Sequence, residues 1–361
     1  MEINYNVKKV DYNNRLRNLD VTAQSKVKSD KFFPVFDIDG KEKIFKPLSK
    51  TKPLTTPYFA YSEVVWSTII HSFFDPSTPI YELAIIENIK EYFPNKYHHG
   101  VLVDNIIQGN EKLVNLYEYF RDNPDPAIDI IDYENYCLKF YDYKGFFDTN
   151  FMIENENIAE KFAYQILLSI LKCDQNYHYE NPLFGSVEGK IVNVKPMIDH
   201  EFSTMFLFVD DLLQNEKYFG SALTSLILTD EIVKEDIFAP YKYEAFGTIS
   251  KNLDVILNRY PSICYKFLEN LKKFVEHIKR DPIVLQDYGY LVPFNSMNYE
   301  VGYQLYKKNN IEKSEEIKKE LENQQFSPNI EKVSTLVNEE ILASSTNLGN
   351  EMIRRLERLN R

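Results

Sequence analysis

Hydrophobic and polar residues repeat with a period of two in the first part of the chain and with a helical period later. Asp39 and Gly40 separate the first two apolar runs, which predicts a tight hairpin because glycine tolerates the positive φ of such turns. The polar residues 1–20 predict an N-terminal arm or a short lead-in helix. The strands predicted from this pattern are Phe32–Ile38, Lys43–Pro47, Tyr81–Ile89 and Gly100–Ile107.

Helical periodicity takes over after these strands. Tyr61–Phe73 is a first helix between two strand pairs, and Ile158–Leu171 is a strongly apolar helix expected at the centre of the second half. Ser186–Ile198 predicts another hairpin, and the pattern from Leu212 onwards is helical. Strands followed by helices indicate an α+β organisation. We divide the chain into an arm (1–20), a sheet-rich lobe (21–107), a helical lobe (108–310) and charged C-terminal helices (311–361).

Composition narrows the classes of function. The 42 Lys and Arg residues against 54 Asp and Glu give a formal charge of -12, which disfavours binding along a nucleic-acid backbone. No apolar run approaches the roughly 20 residues that span a bilayer, and the N-terminus has no apolar signal-peptide core. The three cysteines are scattered and indicate neither a disulfide framework nor a metal site. We therefore expect a cytoplasmic protein that binds neither membrane nor nucleic acid.

Several polar residues are of the types that phosphoryl transfer from ATP requires. Lys46 ends a predicted strand and Glu63 lies on the next helix, where a carboxylate can hold the lysine beside phosphate oxygens. Asn181 follows the apolar helix and Asp199 ends the second hairpin, and such oxygen ligands suit Mg²⁺. Each residue alone has an ordinary explanation as a surface lysine, a helix residue or a turn residue. Their order along the chain favours a joint function.

These segments resemble the motifs of the HipA family of kinases. TAQSK resembles the family's G-A-Q-x-K phosphate loop, KIFKP its strand with the ATP-binding lysine, and AYSEVVWS its N-E-x-x helix. LLSILKCDQNYHYENPLFG resembles the apolar helix that leads into N-x-D-R-H-x-x-N, and KPMIDHEFS resembles A-P-x-x-D. Order and spacing agree from about Val21 to Ser203. The resemblance implies a bilobal kinase-like α+β fold with a small antiparallel-sheet lobe and a larger helical lobe.

Within the sheet-rich lobe, the resemblance implies a site for ATP. Gln24, Ser25 and Lys26 would belong to the loop over the phosphates. Lys46 would bind the nucleotide, and Glu63 would be its ion-pair partner.

The resemblance also implies a hinge, a metal site and a catalytic loop. Val103, in the segment GVLVDN, would lie near the hinge that meets adenine through its backbone. Asn181 and Asp199 would hold Mg²⁺, and His178 stands where the family has the histidine of its D-R-H.

The catalytic loop departs from the family pattern. Asn176 stands at the catalytic aspartate position and Asp174 at the preceding asparagine, while Tyr177 replaces the arginine and Thr22 the loop glycine. Asparagine cannot accept a proton as a carboxylate does. Three explanations stay open: Asp174 acts as a displaced carboxylate, the protein binds ATP with little or no transfer, or the fold performs another chemistry such as nucleotidyl transfer.

Two functions from different classes follow from these residues. The first is an ATP- and Mg²⁺-dependent Ser/Thr kinase with an altered catalytic loop. HipA-like kinases are often toxins held by a partner protein, so the resemblance implies a protein substrate or a regulatory protein partner. The alternative is a pseudokinase, an ATP-binding regulatory module that switches by closure of its lobes.

Overall fold

Among the described residues, strands dominate the first third of the chain and helices the remainder, apart from one hairpin at 183–194, which confirms the predicted mixed α+β class. The computed structural model describes residues 8–11, 33–36, 41–47, 59–87, 97–107, 109–128, 143–172, 174, 181–198, 200, 252–285 and 330–359. The strands are β1 (Lys8–Asp11), β2 (Phe33–Phe36), β3 (Glu42–Pro47), β4 (Glu82–Glu87), β5 (Tyr97–Asp104), β6 (Lys112–Asn115), β7 (Leu183–Val187) and β8 (Lys190–Val194).

The described helices include the two that were predicted at Tyr61–Phe73 and Ile158–Leu171, together with three short helices between them that were not predicted. They are α1 (Phe59–Ile69) with a π-helical turn at its end (Ile70–Phe74), α2 (Leu116–Asp122), α3 (Lys144–Phe147), α4 (Asn150–Glu154), α5 (Glu156–Leu171), α6 (252–259), α7 (Pro261–Arg280) and α8 (Ile330–Leu359). None of the helices in the described part of the chain combines the length and apolar character needed to cross a bilayer.

Among the described residues, a five-stranded sheet has the order β1-β4-β5-β3-β2. Its neighbours are antiparallel except for β1, which pairs in parallel with β4. The polar N-terminal segment therefore contains a strand where the pattern indicated an arm or a lead-in helix. Four residues are too few to show a period in the sequence, and the pairing partner lies far along the chain.

A second, three-stranded sheet has the order β6-β7-β8 in the described part of the chain. The hairpin of β7 and β8 was predicted, and Glu188 and Gly189 make its turn with φ of 52° and 80°. Two successive positive φ values fit the twist of a two-residue hairpin, and glycine adopts such values without strain. The short strand β6 was not predicted.

Helix α1 packs on β4 and β5 and is buried on all sides from Tyr61 to Ile69. A helix that is apolar all round is expected in a core, so the buried Glu63 on this helix requires a partner. Phe73 and Phe74 in the π-helical turn contact the ring of Phe274 on α7, with centroids 5.2 and 5.8 Å away. These contacts fix the end of α1 against the helical part of the molecule.

One cluster of buried side chains joins the sheet to the helices. It runs from Trp66 on α1 through Phe162 and Ile166 on α5 to Phe267 on α7 and Leu348 on α8. Because α5 lies inside this cluster, the segment that follows its C-terminal end is held near the sheet. The packing thereby brings together residues from β3, α1, the end of α5 and the segment after β8.

Candidate functional site

Lys46 and Glu63 form an ion pair between strand β3 and helix α1. Lys46 is 5% exposed and Glu63 is 1% exposed, so both charges are removed from water. Gly100 on the neighbouring strand lies so close that a Cβ there would be 2.3 Å from the Lys46 carbonyl oxygen. The two strands can approach at this point because position 100 is glycine.

Glu63 also binds the segment after β8. Its Oε2 accepts a hydrogen bond from the His200 backbone N–H at 2.7 Å. The neighbouring Ser62 hydroxyl donates to the His200 carbonyl oxygen. Helix α1 therefore holds both backbone polar groups of His200, the residue that directly follows Asp199.

His200 meets a second buried ion pair. The Lys172 Nζ lies 2.8 Å from Asp174 Oδ2 and 3.1 Å from His200 Nδ1. The Lys172 side chain is 0% exposed and that of Asp174 is 2% exposed. An ammonium group only donates hydrogen bonds, so Nδ1 accepts and the ring proton lies on Nε2.

The surroundings keep the His200 ring neutral. Burial, followed by the positive charges of Lys172 and Lys46, holds the pKa of His200 well below its usual value. The Tyr81 ring packs edge-on against the imidazole, with centroids 5.7 Å apart. The histidine thus adds no further positive charge to a cluster that already contains two lysines.

A further polar cluster fixes the chain that leads into Asp199. Lys195 pairs with Glu111, which also accepts a hydrogen bond from Asn193 Nδ2 at 2.7 Å. Gln165 on α5 donates to the Lys195 carbonyl oxygen. Contacts therefore hold the chain before Asp199, at Lys195, and after it, at His200.

Two further predicted residues, Val103 and Asn181, lie within the described part of the chain. Val103 is buried on β5, where its backbone faces Ile44 of β3. Asn181 is half-buried two residues before β7, and the carbonyl of the next residue, Pro182, accepts a hydrogen bond from the Leu116 N–H at 3.1 Å. Their roles toward a nucleotide or a metal stay predictions.

Several predicted site residues lie outside the described residues: Gln24, Ser25, Lys26, Asn176, His178 and Asp199. Among the residues that are described, no three His, Cys, Asp or Glu side chains gather as a metal site would require. The predicted Mg²⁺ site depends on Asp199, and so it also stays a prediction.

Sequence reasoning missed the partners that surround the predicted residues. Lys172, which follows the apolar C-terminal half of α5, and His200, next to Asp199, could have been singled out as polar residues beside buried segments. Their contact with each other spans 28 positions of sequence and has no local signal.

No protein-family model matches the sequence, and no curated protein matches it. Among solved structures, the chain is similar to the crystal structure of a Helicobacter pylori proinflammatory kinase, CtkA. The identity is 13%, the similarity covers 90% of this chain and 91% of that chain, and the TM-score is 0.44. A similarity this distant carries no argument about what this chain does.

Proposed function

We propose that this protein is a kinase-type phosphotransferase that uses ATP and Mg²⁺. The buried ion pair of Lys46 and Glu63 is the observation that supports the proposal most. A buried ion pair contributes little net stability, because desolvation of the two charges offsets their attraction. A strand lysine held by a helix glutamate is, however, the arrangement that protein kinases need for phosphoryl transfer.

The predicted site residues are of the chemical types that bind ATP and Mg²⁺. The Lys46 ammonium, oriented by Glu63, would neutralise phosphate charge. Asn181 and Asp199 offer the amide and carboxylate oxygens that Mg²⁺ prefers. When bound, ATP supplies the transferable phosphoryl group and Mg²⁺ neutralises its charge, while this chain's residues hold the phosphates and orient the acceptor.

The resemblance to HipA-like kinases supports a finer assignment. It favours transfer to a Ser or Thr hydroxyl of a protein substrate, in the cytoplasm, and a regulatory protein partner such as an antitoxin. The formal net charge of -12 disfavours nucleic acid as the substrate, because a nucleic-acid backbone is also negatively charged.

Label transfer from γ-labelled ATP in the presence of Mg²⁺ tests the proposal. We expect label on the protein or on a Ser/Thr protein substrate, with loss of that label in Lys46→Met and Asp199→Ala. Lys43→Met is the matched control, since Lys43 lies on the same strand, is also buried and pairs with Asp104. Residues three apart on a strand face opposite sides, so this control should keep its activity. Equal labelling of wild type and Lys46→Met would refute the proposal.

A second candidate function, an ATP-binding pseudokinase, has its own support. Asn176 stands where the family has its catalytic carboxylate, and the carboxylate of Asp174 is buried against Lys172. For a pseudokinase we expect thermal stabilisation by ATP and Mg²⁺, lost in Asp199→Ala, with no transferred label. Label transfer by the wild type would exclude this candidate.

A further inference from the structure

We infer that Lys172, Asp174 and His200 form a buried junction that positions the segment around Asp199. In this arrangement Asp174 is a positioning residue instead of the base that accepts the substrate proton. The inference rests on the proposed function, because it assigns what these residues do for that site.

Burial and pairing of Asp174 are the first step of the argument. Its side chain is 2% exposed, and its Oδ2 lies 2.8 Å from the Lys172 ammonium. Its backbone N–H donates to the Ser169 carbonyl oxygen at 2.9 Å, which continues the end of α5. A catalytic base must come within hydrogen-bond reach of the substrate hydroxyl. Asp174 would have to break its pair with Lys172 and leave the core before it could reach such a hydroxyl.

The second step is the path of contacts that leaves the junction. Lys172 also donates to His200 Nδ1 at 3.1 Å, and the backbone of His200 is held by Ser62 and Glu63. Glu63 in turn pairs with Lys46. Consecutive polar contacts therefore link the lysine of β3 to the start of the catalytic loop through the residue that follows Asp199.

The third step is the charge balance within the path. Lys46 and Lys172 are positive, Glu63 and Asp174 are negative, and each lysine lies against one carboxylate. Replacing Asp174 by a neutral side chain would leave an excess positive charge in the core. Asp174 is thus required as the counter-charge of Lys172, whatever residue orients the acceptor hydroxyl.

A double-mutant cycle separates the two roles of Asp174. The variants are Lys172→Met, Asp174→Asn and the two combined. Lys273→Met is the control, since Lys273 pairs with Glu269 on α7 and both side chains are more than half exposed. Each protein is examined by urea unfolding and by label transfer from γ-labelled ATP, with kcat and the KM for ATP measured separately.

We expect each single variant to raise the unfolding equilibrium constant by about two orders of magnitude or more, since its partner is left as an uncompensated buried charge. The double variant should recover most of that loss. It should also recover most of the transfer that Lys172→Met loses, through both kcat and KM, because the two neutral side chains restore the position of the Asp199 segment. The control should match wild type in both assays.

Two results would overturn the inference. In the first, the double variant is as stable as wild type but its kcat stays near zero with an unchanged KM for ATP, which identifies Asp174 as the base. In the second, the single variants are no less stable than the double variant or the control. If the wild type transfers no label, the proposed phosphotransferase function is refuted. The unfolding data then still test whether Lys172, Asp174 and His200 form the buried junction.

Discussion

Replacing Lys46 by methionine removes the cation beside Glu63 while keeping a side chain of similar length. Both partners are almost fully buried, at 5% and 1% exposure. Removing one member of a buried pair lowers the free energy of unfolding by about 3–5 kcal/mol, because the other charge is left in the core. Lys273→Met in the exposed α7 pair should change it by only about 0.2–1 kcal/mol.

The combined variant Lys46→Met with Glu63→Gln tests the cause of this loss. Glutamine removes the buried negative charge, and its carbonyl oxygen can still accept from the His200 N–H that Glu63 now binds at 2.7 Å. We therefore expect the double variant to recover at least about 2 kcal/mol of the unfolding free energy that Lys46→Met loses, as expected when neither buried charge is left alone.

Urea unfolding followed by tryptophan fluorescence provides the assay. Trp66 is the chain's one tryptophan, it is fully buried, and it lies on the same helix as Glu63. Its emission therefore reports on the element whose anchoring is altered. A loss from Lys46→Met below about 1 kcal/mol, equal to that of the exposed control, would refute the burial argument. Failure of the double variant to recover would refute the charge argument.

Three further predictions concern the elements around the site. Gly100→Ala should lower the free energy of unfolding by about 1–3 kcal/mol or more, measured in urea, because its Cβ would lie 2.3 Å from the Lys46 carbonyl oxygen. Asn338→Leu should lower it by about 1–3 kcal/mol, because its amide both donates to and accepts from the backbone of Ile283, at 2.6 and 2.8 Å. Burial alone would raise the pKa of Asp104, but two lysine hydrogen bonds outweigh it and lower that pKa. The ionised Asp104 carboxylate therefore stabilises the folded protein above its unfolded pKa, and this stabilisation is lost as the pH falls through its folded pKa. In an acid titration, Asp104→Asn should lose less stability than the wild type does below about pH 4.

The main elements were predictable because their signals are local. The apolar period of Ile158–Leu171 predicts α5, and the helix in the structure begins just two residues earlier, at Glu156. Asp39 and Gly40 predict the antiparallel pairing of β2 with β3, although the turn itself lies outside the described residues. Strand β1 gave no such signal, since its parallel pairing with β4 is made by backbone groups of distant residues.

The candidate site was predictable only in part. Lys46 and Glu63 are 17 positions apart on a strand and the helix that follows it, so their order along the chain suggested their pairing. The environment of Asp174 was not predictable, because spacing shows that a carboxylate is present but not which way it faces. Its direction depends on Lys172 and His200, which meet only after α5 packs against the segment that follows β8.

Direct measurement of ATP binding tests the central claim, that the chain holds a nucleotide site of the kinase type. Titration calorimetry of the wild type with ATP and Mg²⁺ should show saturable binding, weakened at least about tenfold in Lys46→Met, which corresponds to about 1.4 kcal/mol for one lost charged contact. Lys43→Met should bind as the wild type does. No binding to the folded wild type, or equal binding to wild type and Lys46→Met, would contradict the account.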